Sequence, residues 1–402
     1  MASKSVEVHV EIEGRDFLAG HLYFHARRTQ RSTFQYSADF LSLSEAYALD
    51  PALALSSGSF QSTAETFSAF ADAAPDRWGR ILIERRERQL DRIEGRTPRE
   101  VLESDFVLGV NDLTRQGALR FKLQGATQFA APPDAAIPKI VSLPQLLHAA
   151  DRVSDNDDAA LKVLLDAGSA SLGGARPKTA VLDDAGLLLA KFPHQSDEWD
   201  VMAWEKTALD LAERAGINTP WSRLEQIGER HVLLIRRFDR EGERRIGYMS
   251  ARTLLESASD HADYSEMAEA LELATTEASA DLQELWRRAL FSVLINNTDD
   301  HLRNHGLIRR GRGWRLSPIF DINPNPDPAK ERVTTILGEN HGREQLEALD
   351  DLSNLFRVKP TDRDRILGEV RGAVKQWPDV AAKNGVPDRE RRRMSSAFGL
   401  VN

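Results

Sequence analysis

Three polar residues have the types and spacing of a phosphoryl-transfer site. Asp299 follows the apolar run 285–295, Asn304 comes five residues later, and Asp321 ends a second apolar run. Magnesium in phosphoryl transfer takes one or two carboxylates plus phosphate oxygens, so Asn304 and Asp321 could supply ligands. Asp299 could then accept the proton of an attacking hydroxyl. Taken singly, Asp299 also fits a helix N-cap, and Asp321 fits a loop acid before Pro324.

A lysine and a glutamate upstream have the placement of a buried ion pair. Lys191 lies near the end of the apolar strand predicted over 187–192. Glu205 falls on the apolar stripe of the helix predicted over 200–215. Because each charge alone would be costly to bury, the two side chains are natural partners. A purely structural ion pair, or two independently exposed side chains, would fit the same pattern.

A loop rich in small residues precedes Lys178. It begins at Ser169 and contains Gly173 and Gly174, which let a backbone turn tightly and present its N–H groups to phosphate oxygens. Lys178 adds a cation. The spacing matches neither the P-loop nor the dinucleotide-binding fingerprint, so the loop alone is better explained by an ordinary turn.

The order of these features along the chain is that of a protein kinase. A small-residue loop, a strand lysine, a helix glutamate, a hinge strand over 231–238, an Asp-x4-Asn motif and a later aspartate follow one another. The eukaryotic consensus is absent, because no His-Arg-Asp motif is present and Asp-Ile-Asn stands at 321–323 instead of Asp-Phe-Gly.

Several segments together resemble the motifs of the HipA family, the bacterial serine/threonine kinase toxins of type II toxin–antitoxin systems. The resemblance covers nearly the whole chain, and the motifs are specific when taken together. The matching segments are 75–80, 117–121, 171–178, 190–192, Glu205, 237–240, 298–304 and 318–321.

This resemblance implies a role for each residue of the later motifs. Asp299 would be the catalytic base, and Asn304 and Asp321 would hold Mg²⁺. The base is often followed by glycine in this family, whereas this chain has Asp300. The five-residue spacing to Asn304 favours Asp299 over its neighbour.

The same resemblance identifies the surroundings of ATP. Lys191, oriented by Glu205, would contact the α- and β-phosphates, and backbone groups of Arg236 and Phe238 would bind adenine at the hinge. The side chains lining the phosphate region would be Lys178 and His301.

A serine in the small-residue loop is implied as a regulatory site. Ser171 matches the family's autophosphorylated serine, and Ser169 is a second candidate two residues away. Phosphorylation would add about −1.5 to −2 charge beside the nucleotide phosphates, which should expel the loop and silence the kinase.

The resemblance also implies the fold. We expect an α+β, two-lobed protein-kinase-like (HipA-like) fold with an N-terminal α/β subdomain and an all-helical C-terminal lobe. A proline- and alanine-rich stretch over 128–138 suggests a linker. The predicted domains are 1–135, the small lobe 136–240 and the helical large lobe 241–402, interrupted by short strands near 306–308 and 314–316.

The composition restricts the remaining chemistry. The 402 residues carry a net charge of −9 and no cysteine, which excludes disulfides, cysteine nucleophiles, thiolate zinc sites and iron–sulfur clusters. No window of about 20 apolar residues predicts a membrane span, and a reducing cytoplasm is the simplest location. The negative charge gives no general attraction to nucleic acid.

The family implies partners as well. They are a helix-turn-helix antitoxin (HipB-like), operator DNA reached mainly through that antitoxin, and a protein substrate, for which aminoacyl-tRNA synthetases are the best-known class. Growth arrest would follow from phosphorylating the substrate. Two other functions stay open at this point: a small-molecule phosphotransferase of kinase-like fold, and a catalytically silent nucleotide-binding corepressor.

Overall fold

The structure, a computed structural model, describes residues 4–25, 31–130, 137–153, 157–169 and 176–401. Its internal contacts divide the chain into two units. The first contains Met1–Gln195 and Asp239–Met249, and the second contains Ser196–Phe238 and Ser250–Asn402. The three-domain division given above stays a prediction.

An antiparallel sheet of five strands forms the N-terminal part of the first unit. In β1 (Lys4–Ile12) Val6, Val8 and Val10 are fully buried, as a strand with one core-facing side requires. Gly20 is required in the next strand because any side chain there would collide with the backbone of Gln35. The other strands are β2 (Arg15–His25), β3 (Arg31–Tyr36), β4 (Phe60–Gln61) and β5 (Leu119–Leu123), in the order β4-β3-β2-β1-β5.

Helices and two hairpins complete the first unit. The strands β6 (Lys178–Asp183) and β7 (Gly186–Lys191) form the hairpin expected from the sequence, and β10 (Arg240–Glu241) pairs with β11 (Arg244–Arg245). A last strand, β12 (Tyr248–Ser250), runs across the boundary at Met249. The helices are α1 (Ala38–Leu41), α2 (Ser68–Asp72), α3 (Arg77–Glu94), α4 (Glu103–Gly109), α5 (Leu143–Val153) and α6 (Asp158–Asp166).

Two of the family-like motifs meet inside the first unit. The carboxylate of Asp239 accepts hydrogen bonds from the Gly117 N–H at 2.7 Å and from the Arg240 guanidinium at 2.9 Å. Arg240 also donates to the carbonyl of Arg115 at 2.6 Å. Asp239 is 2% exposed, so its charge depends on these donors instead of water. This contact fastens the inserted segment Asp239–Met249 to its own unit.

The second unit is mainly helical. Besides the hairpin of β8 (Ser222–Ile227) and β9 (Arg230–Arg236), it contains the hairpin of β13 (Gly306–Arg310) and β14 (Gly313–Leu316). The C-terminal region is therefore helical with one embedded hairpin, at the positions where short strands were expected. The helices are α7 (Val201–Arg214), α8 (Ala251–Leu254), α9 (Tyr264–Ala274), α10 (Ala278–Leu294), α11 (Glu344–Asp351), α12 (Pro360–Val374), α13 (Trp377–Lys383) and α14 (Asp388–Met394).

Across the described part of the chain, every helix is too short or too polar to span a membrane.

The contact between Asp239 and Gly117 yields a stability prediction. We expect Asp239→Ala to lower the free energy of unfolding by about 3–5 kcal/mol, because it leaves the Arg240 charge and the Gly117 N–H without their buried acceptor. Glu241→Gln on the same segment is the control. This variant removes one charge of an exposed ion pair with Arg244 and should change stability by less than about 1 kcal/mol. Urea unfolding followed by circular dichroism would measure both variants, and equal midpoints would contradict the stabilising role of the Asp239 contacts.

Candidate active site

The end of α10 determines where the candidate catalytic loop begins. Asn296 has a left-handed φ of 50°, and its N–H bonds the Val293 carbonyl at 3.1 Å. The next N–H, of Asn297, bonds the Ser292 carbonyl at 2.9 Å. These two bonds form the Schellman arrangement that terminates a helix, and asparagine tolerates the left-handed conformation. The chain therefore leaves the helix just before the polar residues 297–304, which we name the 297–304 loop.

The buried side chain of Asp300 anchors this loop to the interior of the second unit. Its buried Oδ2 accepts hydrogen bonds from the Tyr264 hydroxyl at 2.5 Å and the Ser292 hydroxyl at 2.9 Å. The same oxygen lies 3.2 Å from the Arg332 guanidinium, and Oδ1 lies 2.9 Å from the His305 Nε2 atom. Burial alone would raise the pKa of this carboxyl, but His305, Arg332 and Tyr264 outweigh it and hold the pKa well below the usual value. Asp300 is therefore an ionised structural anchor.

Asp299, the adjacent residue, has the opposite environment. Its side chain is exposed, unlike that of Asp300. Partial desolvation nevertheless raises the pKa of the Asp299 carboxyl, the nearby Asp321 carboxylate raises it further, and His301 opposes the shift. Asp321 and His301 therefore both act electrostatically on the Asp299 carboxyl.

Asn304 is oriented as an oxygen ligand. Its Nδ2 atom donates to the backbone carbonyl of Asp299 at 3.0 Å. Its own N–H donates to the His301 carbonyl at 2.8 Å, in the 3-10 helix Leu302–Asn304. Because the amide nitrogen is committed, Oδ1 is the atom left for a hard cation.

Asp321 lies in a strained stretch of backbone. Its φ is 55°, which is uncommon for a residue with a side chain and occurs where the surroundings enforce it. The ring of the preceding residue, Phe320, packs at a tilt against that of Phe238, with centroids 5.6 Å apart. Among the described residues, no three His, Cys, Asp or Glu side chains cluster as a metal site would require. The donor set of one amide and one carboxylate oxygen instead fits Mg²⁺ completed by phosphate oxygens.

The first unit contributes two buried lysines. Lys178 and Lys191 are directly opposite each other in the β6–β7 hairpin and are 2% and 6% exposed. Side chains opposite each other in such a pair share one face of the sheet, where like charges repel. The Lys178 Nζ atom lies 3.5 Å from the Asp76 carboxylate, whose other oxygen caps α3. Two ammonium groups on one face suit a polyanionic ligand.

The remaining candidates around the nucleotide lie on α7 and β9. Glu205 is 1% exposed within α7. The N–H of Arg236 donates to the Trp221 carbonyl at 2.8 Å, so this N–H is already engaged within the second unit. The predicted Lys191–Glu205 pair joins residues of different units and stays a prediction.

The candidate phosphorylation loop is described only in part. Ser171, Gly173 and Gly174 lie outside the described residues. Ser169 is fully buried, so phosphorylation there would first require this segment to open.

The sequence analysis assigned no role to three residues that contact the candidate site residues: Arg332, Asp76 and Tyr264. Arg332 reaches Asp300 from a loop that contains no recognised motif. Asp76 belongs to the segment 75–80, whose resemblance to the family was noted without a role; its capping position before Gly79 was the available signal. Tyr264 likewise appeared as an ordinary helical residue.

The two adjacent aspartates predict opposite effects on stability. Asp300→Asn should lower the free energy of unfolding by about 3–5 kcal/mol, because it leaves Arg332 buried without its anion. Asp299→Asn should stay within about 0.5 kcal/mol of wild type or stabilise slightly, since a pKa raised in the folded state means that ionised Asp299 opposes folding. Thermal and denaturant unfolding of both variants at neutral pH would measure this difference, and equal losses would contradict it.

Comparison with known proteins agrees with this architecture. A chain of HipA from Shewanella oneidensis MR-1, from a complex of HipA, HipB and operator DNA, superposes with a TM-score of 0.65 at 15% identity. The superposition covers 98% of this chain and 95% of that one, which confirms the expected α+β, HipA-like fold.

Sequence comparison gives the family. A protein of Sinorhizobium fredii (strain NBRC 101917 / NGR234) named "Putative kinase Y4dM" is 30% identical over 172 residues, which cover 40% of this chain. The match spans 41% of that relative's length. The family model described as the HipA-like C-terminal domain matches residues 170–377, just over half of the chain. The chain therefore belongs to the HipA family.

Proposed function

We propose that the chain is an ATP- and Mg²⁺-dependent protein kinase that phosphorylates serine or threonine. The observation that carries the proposal is the division of roles between adjacent aspartates. Asp300 is buried and held by four side chains, whereas Asp299 is exposed and its carbonyl orients Asn304. An anchored loop that presents one exposed carboxylate is what a general base requires.

In this reaction Asp299 accepts the proton of the attacking hydroxyl. The hydroxyl oxygen bonds to the γ-phosphorus as the bond to the β,γ-bridging oxygen breaks, and ADP leaves. The raised pKa makes the Asp299 carboxylate a better proton acceptor than an ordinary aspartate. Positioning and charge neutralisation would supply most of the rate.

Asn304 Oδ1 and the Asp321 carboxylate would hold Mg²⁺, which when bound would neutralise charge on the β- and γ-phosphates. The commitment of the Asn304 amide nitrogen to Asp299 supports this, because it couples the metal ligand to the base through one hydrogen bond.

The nucleotide would be held by cations of β6–β7 and backbone of the hinge. Lys191, oriented by Glu205, would contact the α- and β-phosphates, with Lys178 and His301 beside them. Backbone groups of Arg236 and Phe238 would bind adenine. The burial of both lysines on one face supports this assignment.

Family membership supports a role as a toxin neutralised by a DNA-binding antitoxin. The related HipA was solved with HipB and operator DNA. For this chain the proposed partners are a HipB-like antitoxin, operator DNA and a protein substrate, and phosphorylation of Ser171 would silence the kinase.

The loss of the base predicts a change in intact mass. Wild-type protein incubated with Mg-ATP should gain the mass of one phosphate, mapped to Ser171, whereas Asp299→Asn should gain none. ATP affinity of the variant should stay within about threefold of wild type, since the base contributes to transfer and not to binding. A matched control is Asp364→Asn, which changes an exposed aspartate of α12 paired with Arg363 and should gain phosphate like wild type. Equal phosphate gain in wild type and Asp299→Asn would contradict the assignment of Asp299 as the base. If wild type starts unmodified and gains no phosphate, the result would favour a small-molecule phosphotransferase or a catalytically silent nucleotide-binding corepressor.

Removal of the strand lysine predicts a weaker nucleotide complex. Lys191→Ala should lower Mg-ATP affinity at least about tenfold, because the phosphates lose a desolvated cation. Lys162→Ala, which removes an exposed lysine of α6, should leave the affinity unchanged. Isothermal titration calorimetry would measure both, and unaltered affinity in Lys191→Ala would remove this lysine from the nucleotide site.

A further inference from the structure

Residues 332–335, which follow Asp321 in the chain, are hydrogen-bonded to the 297–304 loop on both sides of the candidate base. The Val333 N–H donates to the carbonyl of Thr298, and the Thr334 N–H donates to the carbonyl of Asp300, both at 3.1 Å. These acceptors are the carbonyls on either side of Asp299 in the chain. The backbone around the candidate base is therefore hydrogen-bonded to the segment 332–335.

Arg332 carries this contact into the interior. Its side chain is 2% exposed, and Nη1 lies 2.9 Å from the Asn297 carbonyl and 3.2 Å from Asp300 Oδ2. The same Nη1 lies 2.7 Å from the hydroxyl of Ser292, in the last turn of α10. One guanidinium thus holds both ends of the stretch 297–300, in which Asp299 lies.

The guanidinium is itself positioned from two further sides. Its Nε donates to Gln345 Oε1 of α11 at 2.9 Å. The backbone N–H of Arg332 donates to the Asn340 carbonyl at 2.8 Å, which brings residues 332 and 340 together. Further along the segment, Thr335 is hydrogen-bonded to the start of α9 through its backbone, and its hydroxyl donates to the Asp263 carboxylate. A planar, permanently charged guanidinium can donate to all of these acceptors at once, whereas the ammonium group of lysine cannot reproduce this geometry.

We propose that Arg332 is a positioning residue for the phosphoryl-transfer reaction. It acts through Asp300 and the Asn297 carbonyl to hold the Asp299 carboxylate in its reactive orientation, without contacting substrate itself. This inference rests on the proposed function for its kinetic consequence, whereas the anchoring of the loop is independent of it.

The test compares Arg332→Lys with a variant of another ion pair of the second unit, whose carboxylate is buried and whose arginine is partly exposed. Asp281, 3% exposed, accepts a hydrogen bond from Arg315 at 2.9 Å, so Asp281→Asn disturbs a similar pair away from the 297–304 loop. Phosphate incorporation from Mg-ATP, corrected for the folded fraction, should fall at least about tenfold in Arg332→Lys, because small displacements of a reacting group are costly. Mg-ATP affinity should change by less than about twofold, since the metal and phosphate contacts are retained. Asp281→Asn should keep the wild-type rate.

Hydrogen exchange separates failure of this inference from failure of the kinase assignment. In Arg332→Lys the amides of 297–304 should exchange at least about tenfold faster than in wild type, while the β8–β9 hairpin is unchanged. Asp281→Asn should leave 297–304 at the wild-type rate. If wild type transfers no phosphate, the kinase assignment fails and the exchange data alone decide the inference. Wild-type exchange in Arg332→Lys, or an unreduced transfer rate in that variant, would overturn the positioning role.

Discussion

A carboxylate withdrawn from water must be surrounded by donors, and the second unit satisfies this requirement at Asp300. Its donors come from α9, from α10, from the loop that contains Arg332, and from His305 beyond the 297–304 loop. Because each element approaches the same side chain, the position of the loop is determined by several parts of the chain at once. The neighbouring Asp299 needs no anchor of its own. Its side chain can be exposed because another residue holds the loop, and partial desolvation together with Asp321 raises its pKa.

The first unit also contains a buried carboxylate surrounded by donors, that of Asp239. Asp239 and Arg240 come from the inserted segment, and their partners are backbone groups of Gly117 and Arg115 in the N-terminal region. Buried charges are costly unless paired, so such contacts specify which segments belong together more strongly than apolar packing alone. This accounts for the presence of two short motifs, 117–121 and 237–240, that are far apart in the sequence and contain no catalytic residue.

Sequence patterns predicted the local elements well. The β6–β7 hairpin, the helix α7 and the strands β13 and β14 lie where alternation, turn residues and the C-cap glycine placed them. The residue types at 299, 304 and 321 indicated the chemistry because their spacing is short or follows a strand. Arg332 and Tyr264 could not be found in this way, since their role arises from long-range contacts with Asp300 that leave no local spacing. The spacing to Asn304 favoured Asp299 over Asp300 as the base, but nothing in the sequence indicated that the side chain of Asp299 is exposed and that of Asp300 buried.

The interruption of the first unit affects the order in which the chain can fold as it is synthesised. When the ribosome has produced residues up to Gln195, the five-stranded sheet can form, yet Asp239 and Arg245 have not been made. Gly117 then lacks its carboxylate acceptor, and Asp112 lacks the guanidinium of Arg245 that lies 3.1 Å away in the finished protein. The stretch 196–238 of the second unit emerges before these partners do. Folding of the two units is therefore interleaved in time, because the first unit gains these contacts only after residues 196–238 have been synthesised.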